Sequence, residues 1–183
     1  MAVSRVFTSG VVAAIVVAAG LWWRSGRERH AGVADAAGAL REMVLSRRML
    51  ADLPPASIAG APRGVVMDWN MGNGLATLVA IDDGAVSLYL NPGGGIIGAG
   101  THAGVVPVAE QFRSEATRQR QLFRPTETYA APGADSIVFY LLTDSATLTT
   151  GPIASRELER SDHALFALNG AAQKLVAAVR QVR

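Results

Sequence analysis

An uncharged run near the amino terminus, residues 6–23, constrains this chain more than any other feature of its sequence. Arg5 precedes the run and three arginines follow it closely. As a helix, eighteen residues would rise about 27 Å, which is close to the hydrocarbon thickness of a bilayer. The sequence therefore predicts one membrane-spanning helix. The predicted organisation is a tail at 1–5, the span at 6–23, a linker at 24–33 and one domain at 34–183.

The apolar side chains of this run suit a retained anchor, because a pair of tryptophans followed by arginine is typical of a membrane interface. The alternative is a cleaved secretory signal, since the small residues Val17, Ala19 and Gly20 resemble a cleavage site near position 20. The side chains assigned to the anchor are Val6, Val12, Ile15, Val16, Leu21, Trp22 and Trp23.

Basic residues at the two ends of the span predict its orientation. Arg24, Arg27 and Arg29 outnumber the single Arg5, and the more basic flank tends to stay in the cytoplasm. We therefore expect the domain to be cytoplasmic, with a secreted or periplasmic domain as the alternative. The absence of cysteine fits either compartment and excludes disulfides and thiolate metal sites.

The distribution of charge argues against a nucleic-acid partner. The chain has 17 basic and 15 acidic side chains. Residues 31–183 carry 13 of the basic and 14 of the acidic ones, so the excess of positive charge belongs to the flanks of the span. With 13 basic and 14 acidic side chains the domain has a net charge of −1, which does not favour a nucleic-acid partner.

Hydrophobic periodicity predicts an α+β domain with an antiparallel sheet of about five to six strands and about three helices. The segment Asp82-Asp83-Gly84 predicts a type I′ hairpin turn. Thr101 is expected to cap the second helix, and Ser161 or Asp162 the third. Strands are expected at 65–69, 75–81, 85–90, 127–131, 136–142 and 146–150, and helices at 34–51, 103–121 and 163–182.

This order of helices and strands, over most of residues 34–182, is similar to that of the roadblock and profilin-like families of small α+β domains. The resemblance rests on element order alone, and it implies homodimerisation or scaffolding of a small GTPase without assigning binding residues. Residues 87–100, which read SLYLNPGGGIIGAG, also resemble a segment of bacterial proteins of unknown function.

A glycine-rich segment between the third strand and the second helix is the clearest candidate for ligand binding. Its glycines match a G-x-G-x-x-G pattern, but the preceding strand belongs to an antiparallel hairpin rather than a βαβ unit. The first interpretation is that the glycines allow close approach of the backbone, with Ile96 and Ile97 packing into the core or onto a partner. The alternative is a small-molecule or phosphate site formed by Gly93, Gly95, Gly98, Gly100 and His102.

No catalytic, metal or cofactor site is predicted. The histidines lie far apart in the sequence, and no nucleophile motif is present. Asp68, beside Trp69, is expected to form a turn, with a polar ligand as the alternative. The basic face of the second helix, with Arg113, Arg118 and Arg120, is expected to be solvated, or to contact anionic headgroups.

The sequence favours a non-enzymatic, membrane-tethered domain for protein interaction or scaffolding. Its partner would be a second copy, through a sheet edge or the glycine-rich segment, or another protein. The alternative function is a ligand-binding protein or enzyme that uses residues 93–102.

Overall fold

An eight-stranded antiparallel sheet organises residues 33–182, the part of the chain that this computed structural model describes. The strands are β1 (Gly64–Asn70), β2 (Leu75–Ile81), β3 (Val86–Asn91), β4 (Gly95–Ile96), β5 (Arg124–Thr126), β6 (Ser136–Leu142), β7 (Thr147–Thr149) and β8 (Ile153–Ala154). Four α-helices accompany them, namely α1 (Val33–Leu45), α2 (Val106–Arg118), α3 (Ser155–Leu158) and α4 (Phe166–Arg180).

Strand β1 lies at the centre of the sheet, which has the order β4-β3-β2-β1-β6-β7-β5, with β8 pairing with the start of β6. It is hydrogen-bonded along its whole length on both sides. Gly64 lies opposite Ile81 of β2 and Leu142 of β6, and this register continues to Asn70. Because both edges of β1 are paired, its side chains have only the two faces of the sheet to occupy.

The two faces of the sheet differ in chemistry. The face covered by α2 and α4 is apolar, and Phe112 of α2 contacts Phe139 of β6 edge-to-face at 6.4 Å. Each large apolar side chain buried there contributes about 1.5–3 kcal/mol relative to exposure. The opposite face, covered by α1, mixes apolar side chains with buried polar ones. Those polar residues are Asp68, Thr77, Ser87 and Thr147.

The predicted α+β class and antiparallel sheet are confirmed, and β2 and β6 have their predicted bounds. The sheet is larger than predicted because β4 and β8 contain two residues each, too few for an alternating pattern to show. The strand predicted at 127–131 lies instead at Arg124–Thr126, as an edge strand paired with β7.

The helix predicted at 34–51 ends at Leu45, because Arg47 adopts a left-handed conformation with φ of 62°. Helix α2 begins at Val106 rather than near 103. The predicted Thr101 cap is wrong, since Thr101 ends a 3-10 turn, Ala99–Thr101. Helix α4 begins at Phe166, and no side chain caps its first turn.

The β2–β3 hairpin is confirmed, but its turn is not type I′. Ile81 pairs with Ala85 across three loop residues, and Gly84 alone among them has a positive φ, of 93°. A three-residue loop that ends in a left-handed glycine keeps the twist of the strands, and Asp83 stays in an unstrained conformation.

The predicted span at residues 6–23 lies outside the described residues. Within residues 33–182, no helix is both long enough and apolar enough to cross a bilayer.

Gly100 packs against the β2–β3 turn. A Cβ atom at position 100 would lie 1.8 Å from the carbonyl oxygen of Gly84 and 3.2 Å from the backbone nitrogen of Val86. Both neighbours are backbone atoms and cannot rotate away, so only glycine fits at this position.

We predict that Gly100→Ala lowers the free energy of unfolding by roughly 1–3 kcal/mol or more, because the methyl group displaces backbone. Gly104→Ala is the matched control, since nothing lies within 4 Å of a Cβ there. Urea denaturation followed by circular dichroism measures both changes. Equal effects of the two substitutions would contradict the close packing of Gly100.

Candidate functional site

The glycine-rich segment forms a tight hairpin and then closes the edge of the sheet. Gly93, with φ of 68°, lies in the β3–β4 turn, and a Cβ on Gly95 would lie 2.6 Å from the carbonyl oxygen of Leu88. Gly98, with φ of 77°, precedes the 3-10 turn that ends before the exposed His102. The predicted close approach of the backbone is confirmed at Gly95, as it is at Gly100. Ligand binding by this segment stays a prediction.

Both outer edges of the sheet are short. Strand β4 offers two residues, and β5 offers three that include Pro125 and the charged Arg124. Short edges that carry proline or charge discourage strand addition. An interaction through these strands would therefore gain few backbone hydrogen bonds.

A long stretch of chain that includes β4 has no charged side chains of its own. From residue 84 to residue 109 the chain has no aspartate, glutamate, lysine or arginine. Within this stretch the two neighbouring isoleucines separate, because Ile96 packs against the core whereas Ile97 is 69% exposed. Val106, at the start of α2, is 53% exposed. We call the surface formed by residues 92–107 the neutral surface.

A buried ion pair lies between α1 and the sheet. The Nε and Nη2 atoms of Arg41 donate to one carboxylate oxygen of Asp68 at 2.8 and 2.6 Å. Thr77 donates to the other oxygen at 2.6 Å, and Arg41 also donates to the carbonyl of Tyr129 at 2.7 Å. Asp68 is fully buried, so both of its oxygens depend on these donors.

The prediction that Asp68 forms a turn is wrong, because it lies within β1 and points beneath α1. Burial, with a smaller effect of the negative charge of Asp68, raises the pKa of the neighbouring Tyr140 to about 12. A carboxylate fully paired with a guanidinium and shielded from water is poorly suited to proton transfer. This cluster therefore fits a structural role.

A second buried arginine joins three parts of the chain at the other end of β1. Arg63 donates to Asp82 in the β2–β3 turn at 2.6 Å and to Asp144 in the β6–β7 turn at 2.5 Å. Asp144 also accepts the backbone N–H of Ala56 at 2.8 Å. The N–H of Ala56 and the guanidinium of Arg63 lower the pKa of Asp144 below its ordinary value.

A groove of about 370 Å³ lies between α2 and the start of β1. Its polar side chains come from α2, and its floor includes the backbone around Gly64. Arg113 pairs with Glu110 and Arg118 pairs with Glu115, each within one turn of the helix.

Sequence reasoning missed Arg41 and Arg63, whose roles depend on partners distant in the chain. The signal for Asp68 was present, since a lone carboxylate inside an otherwise apolar strand requires a buried partner. In the part of the chain that the structure describes, no group of three or more histidine, aspartate or glutamate side chains is arranged to hold a metal ion.

Comparisons with protein-family models, with curated proteins and with solved structures returned no match for this chain.

We predict that Arg41→Met lowers the free energy of unfolding by about 3–5 kcal/mol at neutral pH, because it leaves the carboxylate of Asp68 buried without a countercharge. Adding Asp68→Asn removes that charge and keeps the bond with Thr77. The double variant should therefore be more stable than Arg41→Met alone, as measured by urea denaturation. A double variant whose loss equals the sum of the two single losses would contradict the pairing.

We predict that Asp144 makes the fold sensitive to acid. Because its pKa is lower in the folded state, its stabilisation is complete above the unfolded-state pKa of about 3.9 and is lost as the pH falls through the folded-state pKa. Urea denaturation between about pH 5 and pH 2 should therefore show a smaller loss of stability in Asp144→Asn than in the wild type. Identical pH profiles for the two proteins would rule out this role.

Proposed function

We propose that the chain is a non-enzymatic, membrane-tethered interaction domain that self-associates through the neutral surface. The observation that carries the proposal is the outward position of Ile97 on a surface without charge. Exposed apolar side chains grouped on an uncharged surface are typical of contact sites between proteins.

A second copy is the partner that this surface favours. Across a two-fold axis the same surface occurs on both copies, so a surface that carries charges of one sign would repel its own copy. The neutral surface contains no aspartate, glutamate, lysine or arginine, and His102 is its one titratable side chain. Val106 is a second exposed aliphatic side chain within the same uncharged stretch of chain.

The predicted tether supports self-association of modest strength. Anchoring by residues 6–23 would confine copies to one membrane plane and raise their effective concentration. A small apolar contact would then be sufficient. The short edge strands of the sheet are consistent with a contact made by side chains rather than by added strands.

The buried arginines form ion pairs within the domain, and this supports a function other than catalysis. Arg41 and Arg63 are bound to Asp68, Asp82 and Asp144 within the domain. Groups committed in this way hold the fold together and are not presented to a substrate.

We predict that Ile97→Glu weakens self-association of the full-length chain by roughly tenfold or more, because it places two carboxylates within one contact. Ile58→Glu is the matched control, since Ile58 is 73% exposed and lies in the loop before β1. Light scattering and chemical crosslinking in mild detergent give the oligomeric state. A wild type that stays monomeric at every concentration, or equal effects of the two substitutions, would overturn the proposal.

A further inference from the structure

We propose that the groove beside α2 binds a phosphate group, and that Arg113 is its principal ligand. The groove brings together two guanidinium groups and the hydroxyls of Ser114 and Thr117. This is a different place from the glycine-rich segment, and the proposal does not depend on self-association. Glu110 also lines the groove, so the charged side chains of its lining carry a net charge of +1. Glu115, which is outside the lining, pairs with Arg118, so Arg113 is the guanidinium on which the proposal depends.

The groove has a fixed wall. Arg120, just beyond α2, donates to the carbonyl oxygen of Gly60 at 2.5 Å and so holds the loop before β1 against the end of the helix. The floor at Gly64 belongs to the central strand, which is paired on both sides. The floor and the loop therefore keep the shape of the groove beside the donors on α2 before a ligand arrives.

Arg113 is the donor best placed to change partners. Its side chain is 26% exposed, whereas that of its partner Glu110 is 60% exposed. Exposed ion pairs within a helix contribute little stability, so Glu110 can turn to solvent at small cost. Arg113 uses Nη2 for this pair, and its guanidinium has further N–H groups that can donate.

The pairing with Glu110 indicates why the ligand is a phosphate rather than a carboxylate. A carboxylate ligand would only exchange the carboxylate of Glu110 for another at the guanidinium of Arg113, so the net gain in binding free energy would be small. A phosphate monoester carries about −1.5 to −2 charges at neutral pH and offers three oxygen acceptors, so it outcompetes a glutamate for the guanidinium. The hydroxyl of Ser114 donates to Glu110 at 3.3 Å and becomes available to a phosphate oxygen when that carboxylate turns away. The hydroxyl of Thr117 donates to the carbonyl oxygen of Arg113 at 2.9 Å and lines the groove without a free O–H.

Two sources would present this chemistry, namely free phosphate and the headgroup of phosphatidic acid in the adjacent membrane. The full-length chain in neutral detergent is titrated with inorganic phosphate in one arm. In the other arm it is placed in micelles that contain phosphatidic acid, with phosphatidylcholine as the uncharged reference. The shift in Tm is measured in both arms, because a ligand that binds the folded state raises Tm by mass action.

Two substitutions in the groove test the site, and two substitutions elsewhere serve as controls. Arg113→Gln should weaken binding about tenfold or more, because it removes charge-assisted hydrogen bonds. Glu110→Gln should tighten binding by up to about fivefold, because it removes the competing carboxylate. The matched controls are Arg160→Gln and Asp162→Asn, which change the same charges in an exposed pair outside the groove and should leave binding unchanged.

A gain of affinity in Glu110→Gln cannot result from misfolding, so this variant keeps the test decisive if Arg113→Gln is unstable. Stabilisation by inorganic phosphate identifies a free phosphate ligand, and stabilisation by phosphatidic acid alone identifies the headgroup. The proposal is overturned if neither probe raises Tm, if phosphatidylcholine stabilises as well as phosphatidic acid, or if the groove variants behave like their controls.

Discussion

The burial of one carboxylate on the central strand determines how the domain is assembled. Asp68 has no access to water, and an isolated charge in such a place would cost several kcal/mol. Arg41 must therefore lie above it, and this requirement fixes the position of α1 on the sheet. The apolar side chains of α1 add burial, but the ion pair selects one register, because a helix shifted along the sheet would leave both charges unpaired.

Arg63 has a similar effect at the start of the same strand. Two hairpin turns, distant in sequence, each supply a carboxylate to one guanidinium, so the ends of β2 and β6 cannot move independently of β1. The strand is thus held near one end by a helix and at the other by turns. The two guanidinium groups that perform this work are mostly buried and are paired within the domain. The proposed recognition sites, the neutral surface and the groove, use other residues.

The sequence was sufficient where the signal was local. Apolar runs bounded by turn residues predicted β2, β6 and both hairpins, and together with the helical periodicities they predicted the α+β class. Interactions over long sequence distances were not visible. Arg47, the left-handed residue two positions after the end of α1, donates from its side chain to the carbonyl oxygen of Asp144. This bond joins residues that are 97 positions apart, so no local pattern indicates it. Asp68 was misread because the nearby Asn70 and Gly72 do form a turn, whereas its partner lies 27 residues earlier. The glycine-rich segment was recognised, but its contact at Gly84 depends on the folded hairpin.

Helix α2 contributes to both of the proposed recognition sites, and its charged side chains are confined to the part of the helix that begins at Glu110. Its first residues, from Val106 to Ala109, are uncharged, and Arg113 and Arg118 lie in its second half. The helix dipole favours cations in the last turn, so Arg118 is well placed for stability. The same dipole disfavours an anion there. The proposed phosphate affinity must therefore come from the guanidinium groups themselves, and we expect it to weaken as salt screens them.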